Sequence, residues 1–169
     1  MYFTSNHLKL KVQYRRIEPN DNIVLASIIR KSIESLGLPI EGTAHSDPTT
    51  DDLFALFRKE RSAYFVVELN GEVLGGCGIY LSPGLPEKHA ELVRFFLDPK
   101  ARGYGIGKTL MNKCEDLAKQ LGYDFLYLES FPDMKAAIHL YETFGYKRLS
   151  EPLGNTGHFS CNVWMKKAL

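Results

Sequence analysis

One glycine-rich segment restricts the fold of this chain more than any other. It runs from Leu97 to Lys108, where a largely apolar stretch ends at Asp98-Pro99 and three glycines then follow at alternate positions. An apolar run, a proline turn and a glycine-rich helix start are typical of a strand that leads into a helix. The segment therefore predicts a domain in which strands and helices alternate around residue 100.

The flanking patterns extend this prediction to the whole chain. Alternating apolar and polar residues predict a strand at 9–17, and two similar runs on either side of Asn70-Gly71 predict a hairpin with a type I′ turn. The run at 89–97 is almost continuously apolar, which predicts a central strand. The further predicted elements are helices at 23–36 and from 51, hairpin strands at 63–69 and 72–80, a helix at 105–121, a strand at 124–130, a helix at 133–144, and strands at 145–150 and 158–166. This order implies an α+β (mixed α/β) domain with a parallel pair in its middle.

Length and composition limit the classes of protein that need to be considered. The chain has 169 residues, which fits one domain spanning 1–169, and its formal net charge of +1 disfavours a nucleic-acid partner. Its three cysteines are odd in number and far apart, as in a protein with reduced thiols. Met1 to Leu10 has no apolar core of signal-peptide length, and no run is long enough to cross a membrane. We therefore expect a cytoplasmic protein.

The glycine-rich segment also suggests a binding site for phosphate. Gly103, Gly105 and Gly107 allow a ligand to approach the backbone at the positive end of a helix, and Arg102 and Lys108 add charge on both sides. A P-loop is excluded because Arg102 stands where its first glycine is required, and a dinucleotide fingerprint is excluded because Lys108 replaces its third glycine. A purely structural helix cap remains the alternative.

Two ordered signatures resemble those of the GNAT superfamily of acetyltransferases. Arg102-x-x-Gly105-x-Gly107 matches the superfamily's pyrophosphate signature, and the stretch 133–146 is similar to its second signature, Asn-x-x-Ala-x-x-Leu-Tyr-Glu-x-x-Gly-Phe, with Asp133 in place of asparagine. The strand 91–97 looks like the family's central strand, so the resemblance covers about residues 62–150. It implies a GNAT fold: a mostly antiparallel, twisted central sheet of six or seven strands with a splayed parallel pair, flanked by about four helices.

The resemblance also implies acetyl-CoA as the cosubstrate, with no metal. The pantetheine arm is expected between the two splayed strands, where backbone amides near Phe96 and Leu97 hold it and polarise the thioester carbonyl. The residues expected to bind the cosubstrate are Phe96, Leu97, Arg102, Gly103, Tyr104, Gly105, Ile106, Gly107, Lys108, Asp133 and Lys135.

Transfer to an amine needs a group that accepts a proton and a group that donates one. Tyr141, at a signature position, is the candidate donor to the departing thiolate, although its helical spacing also fits a core aromatic. Glu91 is the preferred base, acting directly or through water, and Glu129 is the competing base or an acceptor-binding carboxylate. His158 and Cys161 are too few to form a closed zinc site.

These expectations define a leading function and its alternatives. The leading one is acetyl transfer to a primary amine of a small molecule by direct attack on the thioester, with the loop at 38–50 and the C-terminal strands around the acceptor. Acidic residues such as Asp47 and Asp51 could attract a cationic amine or could simply be solvated. A protein or peptide N-acetyltransferase and a noncatalytic CoA-binding sensor are the alternatives. A homodimer could form through the C-terminal strands.

Overall fold

The computed structural model describes residues 10–169 of the chain. The predicted start of the first strand at Lys9 and most of the segment considered for a signal peptide lie outside the described residues. The strands are β1 (Val12–Arg16), β2 (Ala63–Leu69), β3 (Glu72–Tyr80), β4 (His89–Leu97), β5 (Phe125–Ser130), β6 (Lys147–Arg148) and β7 (Val163–Ala168). The helices are α1 (Asn22–Ser35), α2 (Leu53–Leu56), α3 (Ile106–Gln120) and α4 (Lys135–Thr143).

All seven described strands form one sheet with the order β1-β2-β3-β4-β5-β7-β6. Every neighbouring pair is antiparallel except β4 and β5, which are parallel. The predicted α+β class, the central position of β4 and the parallel pair are therefore confirmed. Because α3 connects β4 to β5, this pair is a strand–helix–strand crossover, the connection that parallel neighbours require.

The sheet separates two apolar cores. On one face, α3 and α4 pack against it, with Leu110 and Cys114 of α3 fully buried. On the other face, α1 contributes Leu25 and Ile29, and α2 contributes Leu53. Strands covered on both faces are expected to be largely apolar, and this explains why β4 is nearly all apolar from Leu92 onward.

The hairpin of β2 and β3 has the bounds that the sequence predicts. Its two turn residues, Asn70 and Gly71, have φ values of 53° and 85°. Positive φ at both central positions is the requirement of a type I′ turn, and asparagine and glycine meet it at little cost. The turn type therefore sets the register in which Leu69 faces Glu72.

The bounds of the elements in two regions differ from the predicted bounds. The helix expected from residue 51 has only four residues, and it follows a 3-10 turn at Pro48–Asp52. The strands expected at 145–150 and 158–166 shrink to β6 and β7, because residues 149–162 form a loop that makes side-chain contacts with the centre of the domain. Gly154 and Gly157 in this loop have φ values of 61° and 86°, which interrupt an extended strand.

Among residues 10–169, no helix combines the length and the apolar character needed to cross a bilayer. The three cysteines are free: Cys77 and Cys114 are buried in the core, and Cys161 is partly buried. The odd count and wide spacing of these residues in the sequence had predicted reduced thiols.

Candidate active site

The two central strands separate part of the way along the sheet. Only three residue pairs join β4 to β5, from His89 opposite Phe125 to Glu91 opposite Tyr127. Beyond Glu91, β4 keeps its pairing with β3 but has no strand partner on its other side among the described residues. The resulting cleft opens between the second halves of β4 and β5, where the resemblance to the GNAT superfamily places the pantetheine arm.

A β-bulge at Arg94 bends β4 beside this cleft. The register between β3 and β4 shifts between Gly76 and Gly78, and Arg94 has a φ of 53°. Val93 and Phe96 both pack on the α1 side of the sheet, although strict alternation would place residues three apart on opposite faces. The bulge therefore changes which side chains of β4 reach the α1 side, as bulges near functional sites do.

Arg94 uses this bend to reach two loops. Its Nη2 donates to Asp47 Oδ2 at 2.8 Å and to Thr49 Oγ1 at 3.1 Å, and its Nη1 lies 3.3 Å from His158 Nε2. The side chain is only 4% exposed. Hydrogen bonds from His158, Thr49 and Arg94 keep the pKa of Asp47 far below its ordinary value, against the effect of burial. Asp47 and Arg94 therefore form a charged pair beside the pocket.

Glu91 is a buried carboxyl group at the point where the strands separate. It is 3% exposed and lines the pocket, and Ser82 Oγ donates to its Oε2. Burial raises its pKa to about 7, and the nearby charge of Glu129 acts in the same direction. A carboxyl group of this pKa exchanges its proton near neutral pH, which suits a general base.

Glu129 lies on β5 two residues beyond Tyr127, the register partner of Glu91, and it is held in a different way. Its Oε1 accepts from Tyr127 Oη and its Oε2 accepts from Thr156 Oγ1, both at 2.7 Å. Thr156 belongs to the loop 149–162, so Glu129 ties that loop to the sheet. The structure thus brings both carboxylates named from the sequence to one pocket, with different surroundings.

These carboxylates also belong to a trio whose spacing a metal ion would accept. Potential ligand atoms of Glu91, Glu129 and His158 lie within 4.8 Å of one another. Both oxygens of Glu129 already accept hydrogen bonds, and Nε2 of His158 lies beside the guanidinium of Arg94. A metal ion bound by all three groups would have to displace these contacts and would lie close to a fixed guanidinium, which is unfavourable.

Tyr141 is both a residue of the apolar core and a residue of the pocket wall. It is 4% exposed and belongs to the core, 6.2 Å from Phe95 and 6.0 Å from Tyr146 between ring centroids, and it also lines the pocket. Burial raises its pKa well above the usual tyrosine range, so the hydroxyl group stays protonated. A buried aromatic ring that reaches a pocket can present a fixed proton donor there.

The glycine-rich segment forms an open cradle at the N-terminus of α3. Gly103 and Gly105 have φ values of 85° and 68°, and a side chain built at either would meet no atom within 4 Å. No side chain caps α3, and the hydrogen bond from Thr109 N to the Gly105 carbonyl is its first. The amides of residues 106–108 therefore have no acceptor within the helix and are free to bind an anion.

The other residues assigned to the cosubstrate are placed in several ways. Arg102 and Lys108 are exposed at the cradle, with no carboxylate partner among the described residues. The side chain of Ile106 is buried, so it can offer only its backbone. A Cβ atom at Gly107 would lie only 3.2 Å from Leu140 Cδ2, so the lack of a side chain lets α3 pack against α4.

The last five assigned residues lie on β4, beside the cradle and near the start of α4. Tyr104 is 44% exposed beside the cradle, and Asp133 and Lys135 are exposed at the start of α4. Phe96 and Leu97 lie on β4 beyond the bulge, where the strand borders the cleft. Of these five residues, Phe96 lines the pocket, and the roles of the other four stay predictions from the sequence.

Sequence reasoning missed the residues that connect the site to its loops. Arg94, Ser82, Tyr127 and Thr156 carry no sequence signal, since each makes its contacts through bends and long-range pairing. Asp47 was considered only as part of an acidic group.

The comparisons with known proteins agree with this geometry. The family model described as the acetyltransferase (GNAT) family matches residues 30–146. The chain belongs to this family and is an N-acetyltransferase, an acyltransferase.

Relatives with curated names are similar over most of the domain. The chain is 36% identical to the uncharacterized N-acetyltransferase YjgM of Escherichia coli (strain K12) over 156 residues, covering 92% of this chain and 93% of that protein. It is 30% identical to a putative [ribosomal protein bS18]-alanine N-acetyltransferase of Bacillus subtilis (strain 168) over 108 residues, covering 63% of this chain and 69% of that protein.

Solved structures share the fold. A GNAT-family acetyltransferase from Staphylococcus aureus Mu50 superposes with a TM-score of 0.79 at 15% identity, covering 94% of this chain and 99% of that one. The PaiA N-acetyltransferase of Thermoplasma acidophilum, solved in complex with coenzyme A, superposes with a TM-score of 0.74 at 18% identity over 94% and 99% of the two chains.

Proposed function

We propose that this N-acetyltransferase moves the acetyl group of acetyl-CoA to a primary amine of a small molecule by direct attack on the thioester. The donor end of the site supports acetyl-CoA because a cradle of free amides lies between Arg102 and Lys108, next to a cleft between splayed strands. A diphosphate fits such a cradle, since it offers several anionic oxygens to amides at a helix N-terminus. The solved relative that contains coenzyme A agrees with this choice.

Acetyl-CoA, when bound, supplies an acetyl thioester, and the chain's own residues manage the protons. Glu91, as a carboxylate, takes the proton from the ammonium group so that the amine nitrogen can form a bond to the thioester carbonyl carbon. The carbon–sulfur bond then breaks as Tyr141 gives its hydroxyl proton to the departing thiolate. The second proton of the acylated nitrogen returns through water to the Tyr141 oxygen, so CoA leaves as the thiol and Glu91 releases its proton to solvent. An ammonium group has a pKa of about 10.4. With its own pKa near 7, Glu91 differs from it by less than an ordinary glutamate does, so it accepts the proton more readily.

Replacement of Glu91 by glutamine is expected to remove the rise of turnover with pH. In the wild type, the active carboxylate form of Glu91 increases as pH rises through about 7, so turnover should rise through this range and level off above it. Glutamine cannot accept the proton, so the variant should be about 10²-fold slower at pH 8 and flat across the range. Steady-state rates from pH 5.5 to 9 measure this effect.

The matched control is Glu129→Gln. Because the charge of Glu129 contributes to the raised pKa of Glu91, its removal should move the rise to lower pH without abolishing it. If Glu129→Gln flattened the profile while Glu91→Gln kept it, the two carboxylates would have exchanged roles.

A bridge between two loops is the observation that carries the choice of a small acceptor. Ser160 donates from its Oγ to the Glu41 carbonyl at 2.6 Å and from its backbone N to the Gly42 carbonyl at 3.3 Å. His158 Nε2 lies 3.3 Å from Asp47 Oδ2. These contacts join the loop after α1 to the loop 149–162 beside the pocket. An extended peptide would need an open groove, whereas a bridged entrance suits a compact molecule.

A competition between acceptors tests the proposal. With acetyl-CoA at saturation, thiol detection of released CoA should show turnover with small primary amines and at least about 10-fold lower kcat/KM with peptides that present a free N-terminus or a lysine. Turnover confined to peptides would overturn the assignment of a small acceptor and leave the acetyltransferase assignment intact.

Acetylation of a protein N-terminus is the second candidate. It is favoured by the Bacillus subtilis relative, whose name assigns it to the alanine of a ribosomal protein. Weakening the bridge between the loops distinguishes the two candidate functions. Ser160→Ala weakens it by removing the hydrogen bond from Ser160 Oγ to the Glu41 carbonyl. A peptide-acetylating enzyme should tolerate or gain from this change.

A further inference from the structure

The pocket that receives the acceptor contains an uneven set of charges. Among the described residues that line it, Glu91 and Glu129 are carboxyl groups, and Arg94 is the single lysine or arginine. The ammonium group of an acceptor therefore has two candidate partners. A carboxylate on the same molecule would have only Arg94 and His158, and His158 already contacts both Arg94 and Asp47.

Arg94 is already occupied. Its Nη2 is engaged by Asp47 and Thr49, its Nη1 faces His158, and its Nε is buried without a partner among residues 10–169. Asp47 keeps its charge at any working pH because hydrogen bonds from His158, Thr49 and Arg94 lower its pKa. Because both donors of Nη2 are engaged and Nε is buried, no edge of the guanidinium is left to bind a carboxylate of the acceptor through two hydrogen bonds.

The remaining wall of the pocket is apolar. Ile33, Leu38, Phe96, Phe131 and Met134 line it and belong to the core on the α1 side of the sheet. Apolar groups of an acceptor would gain free energy by leaving water here, at roughly 25 cal/mol per Å².

We infer that the acceptor is an amine on an apolar group that carries no carboxylate, and that Asp47 enforces this choice by occupying Arg94. This inference rests on the proposed acetylation of a small amine. An α-amino acid would place its carboxylate beside Glu91 and Glu129 without a cation to pair with it. Like charges close together and a desolvated, unpaired charge are both strongly unfavourable, and such repulsion is a common means of rejecting a wrong substrate.

Three primary amines that share the isobutyl side chain of leucine test the inference on the wild-type enzyme. Isoamylamine carries no carboxyl group, leucinamide carries a neutral amide, and leucine carries a carboxylate. The kcat/KM for leucine should be at least about 10²-fold below that for isoamylamine, as expected from like-charge repulsion of several kcal/mol. Leucinamide should fall between them, since it has the bulk of leucine without its charge.

Asp47→Asn should relax this preference. Asparagine removes the charge that neutralises Arg94, so the guanidinium becomes available to a carboxylate, and the ratio of kcat/KM between isoamylamine and leucine should narrow by about 10-fold or more. Asp51→Asn is the matched control, because Asp51 makes a similar pair with Arg30, at 2.6 Å and 3.0 Å, at an exposed position. The control should keep the wild-type ratio.

The outcomes distinguish a failure of this inference from a failure of the proposed function. Leucine turned over as well as isoamylamine by the wild type, or an equal effect of Asp47→Asn and Asp51→Asn in a variant that still binds acetyl-CoA, would overturn the inference and leave a small amine as the acceptor. Should Asp47→Asn fail to fold, the wild-type comparison of the three acceptors decides alone. Turnover of peptides and of none of the three compounds would instead overturn the proposed function.

Discussion

Gly105→Glu is expected to abolish the binding of CoA and acetyl-CoA. Gly105 lies at the start of α3, where a side chain would enter open space beside the free amides. A glutamate there would cover those amides and place a negative charge where the diphosphate is proposed to bind. Hydrogen bonds to charged groups contribute about 1.5–3 kcal/mol each, so the loss of two predicts a decrease in affinity of at least about 10²-fold. Isothermal titration calorimetry measures it.

The effect of the backbone conformation of Gly105 on CoA binding must be distinguished from the effect of its position in the cradle. Its φ of 68° is left-handed, and a residue with a side chain costs about 1–2 kcal/mol there. Gly122, just beyond the other end of α3, has a φ of 80°, and a Cβ atom at that position would meet only Arg61 Nη2, at 3.8 Å. Gly122→Glu should therefore lose similar stability and keep its affinity for CoA. Equal affinity in both variants would argue against a diphosphate at the cradle.

Tyr141→Phe is expected to lower turnover by about 10²-fold while sparing the affinity for acetyl-CoA. The change removes only a hydroxyl group, so the packing of the ring against Phe95 should persist. Without the hydroxyl, the departing thiolate loses its proposed proton donor, and general acid catalysis contributes typically 10²–10⁴-fold. Steady-state kinetics with acetyl-CoA, together with calorimetry on the variant, measure both quantities.

Tyr146→Phe provides a control of the same kind. Tyr146 is also buried, 6.0 Å from Tyr141 between ring centroids, but its hydroxyl is buried without a partner among the described residues and does not line the pocket. Removal of that hydroxyl should leave turnover unchanged, because an unsatisfied buried group contributes nothing to binding. Should both variants show the same loss, the effect would lie in the packing of the core, and the acid would have to be sought elsewhere.

Local chemistry explains which parts of the fold the sequence could predict. Asn70-Gly71 determines a turn by itself, and the bounds of β2 and β3 follow from it. The apolar stripe of α3 likewise determines a helix, predicted at 105–121 and observed at Ile106–Gln120. The glycine-rich cradle was predictable for the same reason, because its function depends on residue types that are adjacent in the chain.

The parts that were not predictable depend on contacts between distant segments. Residues 149–150 and 158–162 were predicted as parts of two strands, yet they belong to the loop 149–162, which Tyr127 and Glu129 contact through Leu153 and Thr156. Arg94 meets Asp47, 47 positions away, only because a bulge turns it toward the α1 side. No pattern in the sequence marks a bulge with a non-glycine residue at positive φ, so the link between the bulge and the acceptor pocket required the structure.

The roles of the two carboxylates illustrate the same limit. Glu91 and Glu129 were both candidates for the base, and only their surroundings distinguish them. Burial raises the pKa of Glu91 to about 7 against the effect of its hydrogen bond from Ser82. Glu129 instead accepts from both Tyr127 and Thr156. Burial and hydrogen bonding determine a pKa, and neither can be read from residue type.

The central claim is that the cradle between Arg102 and Lys108 holds the diphosphate of acetyl-CoA. Calorimetry with CoA and with pantetheine, which shares the thiol arm but lacks the diphosphate and the nucleotide, tests it most directly, with 4′-phosphopantetheine as an intermediate case. CoA should bind at least about 10²-fold more tightly than pantetheine, and added salt should weaken CoA binding, as expected for a charged ligand. No heat from CoA at millimolar concentration with folded protein, or equal affinity for CoA and pantetheine, would contradict the claim.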